Sequence, residues 1–340
     1  MTRFLNSGVN NGWANTTVVY GPIAQIIFKI CTLISFKNIN LCLLIFKLIN
    51  LFIHIANCYL IFKITNKKKF SVIYGLNPFV LFEFIGMVHN DIIVVFFILL
   101  ALYFLLKKKK IILSILSLAI ATGIKYFTIL LLPVIVLYYI RKEENLKLKI
   151  FNCIFYVAIF LVALGIEYLP YFRNVDIILA MMAQTSKYSR SIYSVLTTYF
   201  QGSLSIIQNT ISLLFIAYAI YYCIYFLLKK NNNIMKMLRK YNVLIVLFLL
   251  ILTTFQPWYL VWLFPTMMWQ KSRTIKNIIG ISLISEIANS VYMFASEWYI
   301  YDIIFINGII SMFVIWNLIN MRKEIKELLV AKNIVKRKEQ

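Results

Sequence analysis

Three short polar runs interrupt a chain that is otherwise mostly apolar, and they hold the residue types best suited to chemistry: His89-Asn90-Asp91, Gly123-Ile124-Lys125-Tyr126 and Gln256-Pro257-Trp258-Tyr259. An imidazole one residue away from a carboxylate can move or orient a proton, and His89 could donate to Asp91 or be held by it. Lys125, alone in an apolar stretch, is a fixed cation of the kind that holds a phosphate. Gln256 with Trp258, Tyr259 and the nearby Trp262 could hydrogen-bond the hydroxyls of a sugar and stack on its ring. Each run also has a purely structural use. Asp and Asn favour the first position of a helix, a lysine can reach along its stem to the interface, and Trp and Tyr populate membrane interfaces. His89 and Asp91 alone are too few donors for a metal site. Glu83, Glu167 and Glu286 lie inside apolar stretches, where an ionisable group is costly unless paired, hydrated or used.

The elements that must position these residues are long apolar segments. Hydrophobic residues make up 62% of the 340, and mean hydropathy is +0.83. A bilayer core about 30 Å thick needs roughly 20 apolar residues per helix, and the sequence supplies such segments almost end to end. The expected class is therefore an all-α, polytopic transmembrane helical bundle. The formal charge of +23 would suggest nucleic acid as a partner of a soluble protein. Here most of the Lys and Arg fall in short clusters between apolar segments: Lys63 with Lys67 to Lys69, Lys107 to Lys110, Arg141 to Lys149, Lys229 to Lys240, Lys271 to Lys276, and Arg322 to Lys338. Basic clusters in short loops mark the cytoplasmic side and meet anionic lipid, so the implied partner is the bilayer and no nucleic acid is expected. The five cysteines sit in or beside apolar runs without metal-ligand spacing.

Placing the basic clusters in the cytoplasm puts all three polar runs at turns on the opposite face. Residues 41–62 form one span, 71–88 and 91–106 a hairpin turning at His89-Asn90-Asp91, and 150–171 and 205–228 further spans. The stretches 111–140 and 241–270 form short hairpins with arms of about 15 residues, or about 22 Å at 1.5 Å per residue, which only just reach the outer interface. Segments 275–293 and 303–320 make a last pair. About nine to eleven crossings result, depending on how the short hairpins are counted. Residues 1–340 are one membrane domain: 1–40 external or interfacial, 41–320 the transmembrane core, 172–204 an external loop bearing Arg173 and Arg190, and 321–340 a basic cytoplasmic tail. The polar turns then share one depth under that loop, which describes a site open to the outer leaflet and suited to an amphiphilic ligand.

The order of several motifs resembles the multi-spanning C-type glycosyltransferases that use polyprenyl-phosphate sugars, especially the mannosyltransferase-like group. The motifs are Tyr20-Gly21-Pro22, Asn77-Pro78-Phe79-Val80-Leu81 with Glu83 and Gly86, His89-Asn90-Asp91, Gly123-Ile124-Lys125 with Leu132-Pro133, and Gln256-Pro257-Trp258-Tyr259-Leu260 with Trp262-Leu263 and Pro265. The resemblance implies a GT-C-like fold and transfer of a hexose, mannose for instance, from a polyprenyl-phosphate donor to a glycan, lipid or protein acceptor outside the cytoplasm. It implies a multi-pass protein of a bacterial plasma membrane with its site on the outer face, and no cofactor. It makes Lys125 the phosphate ligand with Arg173 and Arg190 as helpers, and Asp91 a catalytic residue in an orienting or secondary role. His89, Asn90, Tyr126, Gln256, Trp258 and Tyr259 would bind substrate.

Such enzymes carry an essential acidic residue in an external loop ahead of the Tyr-Gly-Pro segment. The residues before Tyr20 contain no Asp or Glu. The expectation is an N-terminally truncated chain with impaired transfer, or one completed by a partner chain that supplies the missing part. The alternatives are a transporter or flippase of lipid-linked glycans and a non-catalytic partner subunit.

Overall fold

The computed structural model describes residues 20–171, 191, 204–228 and 233–294. The described chain is all-helical. Helix α1 (Pro22–Ile34) is followed by α2 (Ile39–Thr65), α3 (Lys68–Gly75), α4 (Asp91–Tyr103), α5 (Ile111–Ile124), α6 (Leu132–Tyr139), α7 (Leu146–Tyr168), α8 (Leu204–Leu228), α9 (Ile234–Ile251) and α10 (Ser272–Phe294). Three helices are long and apolar enough to cross a membrane, α2, α7 (through Tyr171) and α8 from Ile206 onward. A fourth span is possible if the bent pair Pro78–Gly86 and Asp91–Lys108 counts as one. The expected spans over 41–62, 150–171 and 205–228 correspond to these helices. The segment 303–320, the loop residues Arg173 and Arg190 and the basic tail lie outside the described residues.

The long helices earn their membrane reading from what they leave uncovered. Leu44, Phe52 and Ile55 on α2, Phe151, Ile154 and Val162 on α7, and Leu213, Leu214 and Ile220 on α8 are all exposed. An apolar face of that extent needs lipid rather than water against it. The core lies inside this ring. Helix α4 buries nearly its whole circumference, including Ile92, Val94, Val95, Leu99 and Leu102, by packing against α2 and α5. A helix apolar all round is an interior helix.

The expected helix over 71–88 is a correction. It is broken: α3 ends at Gly75, Asn77 caps a new turn by accepting from the Phe79 N–H at 3.0 Å, and Pro78 opens that turn, which widens into a π-helix over Leu81–Gly86. Pro78 lacks an N–H and disfavours helix at the residue before it, so the break falls where the physics of proline puts it. The chain then bends by 117° into α4. Breaks at this depth leave carbonyls without intrahelical partners, and α2 answers them. Asn50, His54 and Asn57, at helical spacing on one face, are all buried. Asn50 Nδ2 donates to Phe84 O at 2.6 Å and His89 O at 3.2 Å, His54 Nε2 lies 3.1 Å from Gly75 O, and Asn57 Nδ2 donates to Ile92 O at 3.2 Å and the Tyr74 hydroxyl at 3.1 Å. Irregular backbone survives in a membrane where neighbouring groups satisfy it in this way.

Helix α1 is short, and the expectation for residues 22–36 was an interfacial segment. It packs on α5 through glycines. Gly21 N donates to Ile124 O at 3.3 Å, and a Cβ on Gly21 would run into the Gly123 carbonyl. One on Gly123 would meet the Glu167 carboxylate and Ile23. This contact sets Tyr20 over the turn at Lys125. Gly21→Ala is therefore expected to destabilise, at the scale of about 1–3 kcal/mol typical of overpacking, because the atom in the way is backbone. Gly165→Ala, which meets nothing within 4 Å, is expected to leave unfolding in detergent unchanged or slightly later. Equal shifts for the two variants would contradict the packing.

Candidate functional site

The three polar turns converge. Asp91 is the first residue of α4, Lys125 the residue that ends α5, and Trp262 sits on a 3₁₀ turn, Pro257–Leu263, beyond α9. Lys125 Nζ donates to Asp91 Oδ1 at 2.7 Å and Oδ2 at 2.8 Å, and Trp262 Nε1 donates to Asp91 Oδ1 at 2.6 Å. The carboxylate is fully buried, while the lysine side chain keeps 13% of its surface exposed. Around the ammonium stand the rings of Tyr259 at 4.9 Å, Trp262 at 5.6 Å and Tyr20 at 5.7 Å. Burial pushes the Tyr20 phenol up to about 12, with Asp91 adding to the effect, so that ring stays neutral beside the pair. Tyr259 and Trp262 stack at 4.4 Å and Trp262 and Phe127 at 3.8 Å, making one aromatic column behind the ion pair.

Two readings of the sequence change here. Lys125 is not alone in apolar surroundings: its partner lies 34 residues away and becomes visible only when α4 and α5 dock. Asp91 makes no cap, since Asn90 holds that position and has no side-chain cap bond, and both Asp91 oxygens are turned to Lys125 and Trp262. His89 does not pair with Asp91 either. Its Nε2 lies 3.2 Å from Glu83 Oε2, and its ring stacks on Trp258 with centroids 3.8 Å apart and planes 16° from parallel.

That second cluster borders the first. Glu83 is on the π-helical turn and almost fully buried, whereas the His89 side chain is 24% exposed. The Glu286 carboxyl of α10 faces Glu83 and lies within electrostatic reach of His89. Val88, immediately before His89, has φ +66°. A β-branched residue there is strained, and the turn that presents His89 holds that strain. A carboxylate bonded to one nitrogen of a histidine fixes the ring and its tautomer and leaves the other nitrogen free to accept a proton, as in hydrolytic triads.

Of the remaining expected residues, Asn90 lies at the turn with a buried Nδ2 that has no partner among the described residues. Gln256 caps the 3₁₀ turn through its backbone, its C=O accepting from Tyr259 N at 3.0 Å. Tyr126 belongs beside Tyr168 of α7 rather than in the ion-pair cluster. Trp258 presents one face to His89, so a sugar could stack only on the other. Among the described residues no group of three or more His, Cys, Asp and Glu is placed to hold a metal. Sequence reasoning missed the Asn50-His54-Asn57 stripe, although its i, i+4, i+7 spacing inside an apolar helix was the available signal.

Residues 1–141 match the alpha-(1->6)-mannopyranosyltransferase family, in its N-terminal domain. The matched region carries Tyr20, Glu83, His89, Asp91 and Lys125, and it stops before Trp258, Trp262 and Glu286. Likeness to the mannopyranosyltransferase domain supports a mannosyltransferase-like membrane protein and glycosyl transfer as its general activity. No curated protein and no solved structure matches the chain.

The buried ion pair makes a quantitative prediction. Lys125→Met or Asp91→Asn alone should each destabilise by about 3–5 kcal/mol, because each leaves a partner unpaired in a dry site. The double variant should cost clearly less than the sum of the two. Chemical unfolding in detergent measures this, and strict additivity would rule out the coupling.

Proposed function

We propose that this chain transfers a hexose, mannose in view of the family likeness, from a polyprenyl-phosphate donor to an acceptor hydroxyl on the extracytoplasmic side of a membrane. The observation that carries the reading is the proximity of a partly exposed ammonium and a partly exposed carboxylate-backed imidazole in a helical bundle with exposed apolar faces. A lipid-phosphate donor has an apolar tail, which suits the exposed apolar faces of α2 and α7, and a charged head, which suits Lys125.

The residues divide the work as follows. Lys125 has three N–H donors, of which Asp91 engages two, so one remains for an oxygen of the donor phosphate. Asp91 orients that ammonium; fully buried and bonded on both oxygens, it is not the group that takes a proton. Glu83 holds His89 by Nε2, leaving Nδ1 as the base. The acceptor oxygen attacks the anomeric carbon as its proton passes to His89, and the bond from that carbon to the phosphate oxygen breaks, the electron pair leaving with polyprenyl phosphate. Lys125 steadies the developing charge. Trp258, Tyr259, Gln256 and Asn90 line the sugar, and the family resemblance assigns Arg173 and Arg190 as helpers to the phosphate ligand. Net inversion follows from this single displacement.

The test is transfer by the purified chain in vesicles containing polyprenyl-phosphate mannose, with donor binding measured separately. His89→Ala and Glu83→Gln should each reduce transfer by roughly 10² to 10⁴, the usual contribution of a positioned acid–base group, while donor still binds. Lys125→Met should weaken donor binding instead. Donor binding without any transfer in the unmodified chain would favour the non-catalytic subunit or a base supplied by a partner chain.

The side of the membrane is tested by single cysteines in a cysteine-free background. Positions Asn90 and Gln256 should react with an impermeant thiol reagent added outside cells, and position Lys109 should not. The reverse pattern would overturn the placement of the site.

A further inference from the structure

Glu286 is a buried acid that the transfer steps above leave unused. It lies on α10, which packs against the 3₁₀ turn Pro257–Leu263, the short helix Phe264–Met267 and the turn Pro78–Val80. Its carboxyl is set against that of Glu83 and within electrostatic reach of His89. Both Glu286 oxygens and Glu83 Oε1 are buried, and Glu83 Oε2 is the atom 3.2 Å from His89 Nε2. Among the described residues no lysine or arginine pairs with Glu286, and Lys125 is engaged by Asp91. Of the three elements packed against α10, only the 3₁₀ turn adds a titratable group, the Tyr259 phenol.

Two carboxyls in contact, shut away from water and without a cation between them, do not both ionise, so the pair holds a proton. Its location follows from the neighbours. Glu83 has the imidazole N–H to stabilise a negative charge, whereas Glu286 has no donor beyond the pair; the charge therefore rests on Glu83 and the proton on Glu286. That choice reaches His89. A charged Glu83 accepts from the Nε2 hydrogen and leaves Nδ1 bare. With the proton on Glu83 instead, its hydroxyl would donate to Nε2, and the imidazole hydrogen would sit on Nδ1, the nitrogen that has to receive the acceptor's proton.

We propose that Glu286 is a positioning residue: as a neutral acid it donates a hydrogen bond to Glu83, which keeps Glu83 charged and fixes His89 in the tautomer that can act as a base. Its purpose rests on the transferase reading, but the state of the pair does not. When His89 takes a proton, one positive charge faces one negative charge. With Glu286 ionised, two negative charges repel each other and Glu83 loses the bond that holds it.

The experiment compares the full chain with Glu286→Gln, which keeps a donor and cannot ionise, and Glu286→Leu, which has no donor. Infrared difference spectra of the parent and Glu286→Gln, with isotope-labelled glutamate, should show a carboxylic acid carbonyl band that the variant lacks. Nitrogen NMR reads the His89 tautomer, and because the chain has 2 histidines a His89→Asn spectrum assigns the signals. The parent and Glu286→Gln should carry the hydrogen on Nε2, and Glu286→Leu should shift it toward Nδ1. In vesicles with polyprenyl-phosphate mannose, Glu286→Leu should lower kcat roughly tenfold or more with donor binding unchanged, the size expected for a lost hydrogen bond to a charged group, and Glu286→Gln should restore it. The parent kcat should fall as pH rises through the ionisation of Glu286, a fall that Glu286→Gln should lack. If Glu286→Leu does not fold, the infrared band and the pH profile of Glu286→Gln carry the comparison. The proposal is overturned if the acid band is the same in the parent and Glu286→Gln, or if all three proteins share one tautomer and one pH profile. The expected band and tautomer shift in a parent chain that transfers nothing would uphold the pair and count against the transferase reading alone.

Discussion

A carboxylate with no exposed surface must have its charge met inside the protein, and the placing of Asp91 organises the rest of this molecule. Three segments far apart in sequence have to arrive together to satisfy it: the start of α4 that carries it, the end of α5 that brings Lys125, and the turn after α9 that brings Trp262. None of these docks well without the others, because a buried charge missing its partner costs several kcal/mol. The aromatic faces of Tyr20, Tyr259 and Trp262 complete the enclosure. They stabilise the ammonium by their quadrupoles while excluding water that would weaken the pair.

Around this node the backbone departs from regular helix in several places, and each departure has a use. The break at Asn77-Pro78, the π-helical turn and the strained Val88 swing the chain so that Glu83 and His89 stand next to each other and to Trp258. A continuous helix from Ser71 to Val88 could not form this pair beside the ion pair. The carbonyls that the breaks release are capped from α2 by Asn50 and His54, and Asn57 ties the same face of α2 to Ile92 at the start of α4. That helix therefore has two characters: polar and specific toward the site, apolar and exposed toward lipid.

The site gathers ion-paired and carboxylate-backed groups in an aromatic enclosure, a setting in which charge can be created and discharged. Helix α9, with 18 residues, spans about 27 Å at 1.5 Å per residue, and the turn that follows it delivers Trp258, Tyr259 and Trp262 to that enclosure.

Long-period information was legible in the sequence. Apolar runs of membrane length named α2, α7 and α8, and the placing of His89, Lys125 and Trp258 at turns between apolar arms singled out the residues that converge. Those features depend only on local composition and on the energetic cost of polar atoms in oil. Partnership was not legible. Sequence proximity suggested His89 with Asp91 and left Lys125 unpaired, whereas the fold pairs Lys125 with Asp91 and His89 with Glu83. It also brings Glu286 and Trp262 from the far half of the chain to residues of the near half. Hydropathy says that a charge must be compensated but not by which residue, because the answer depends on which helix faces dock and at what register. Only the tertiary structure decides that.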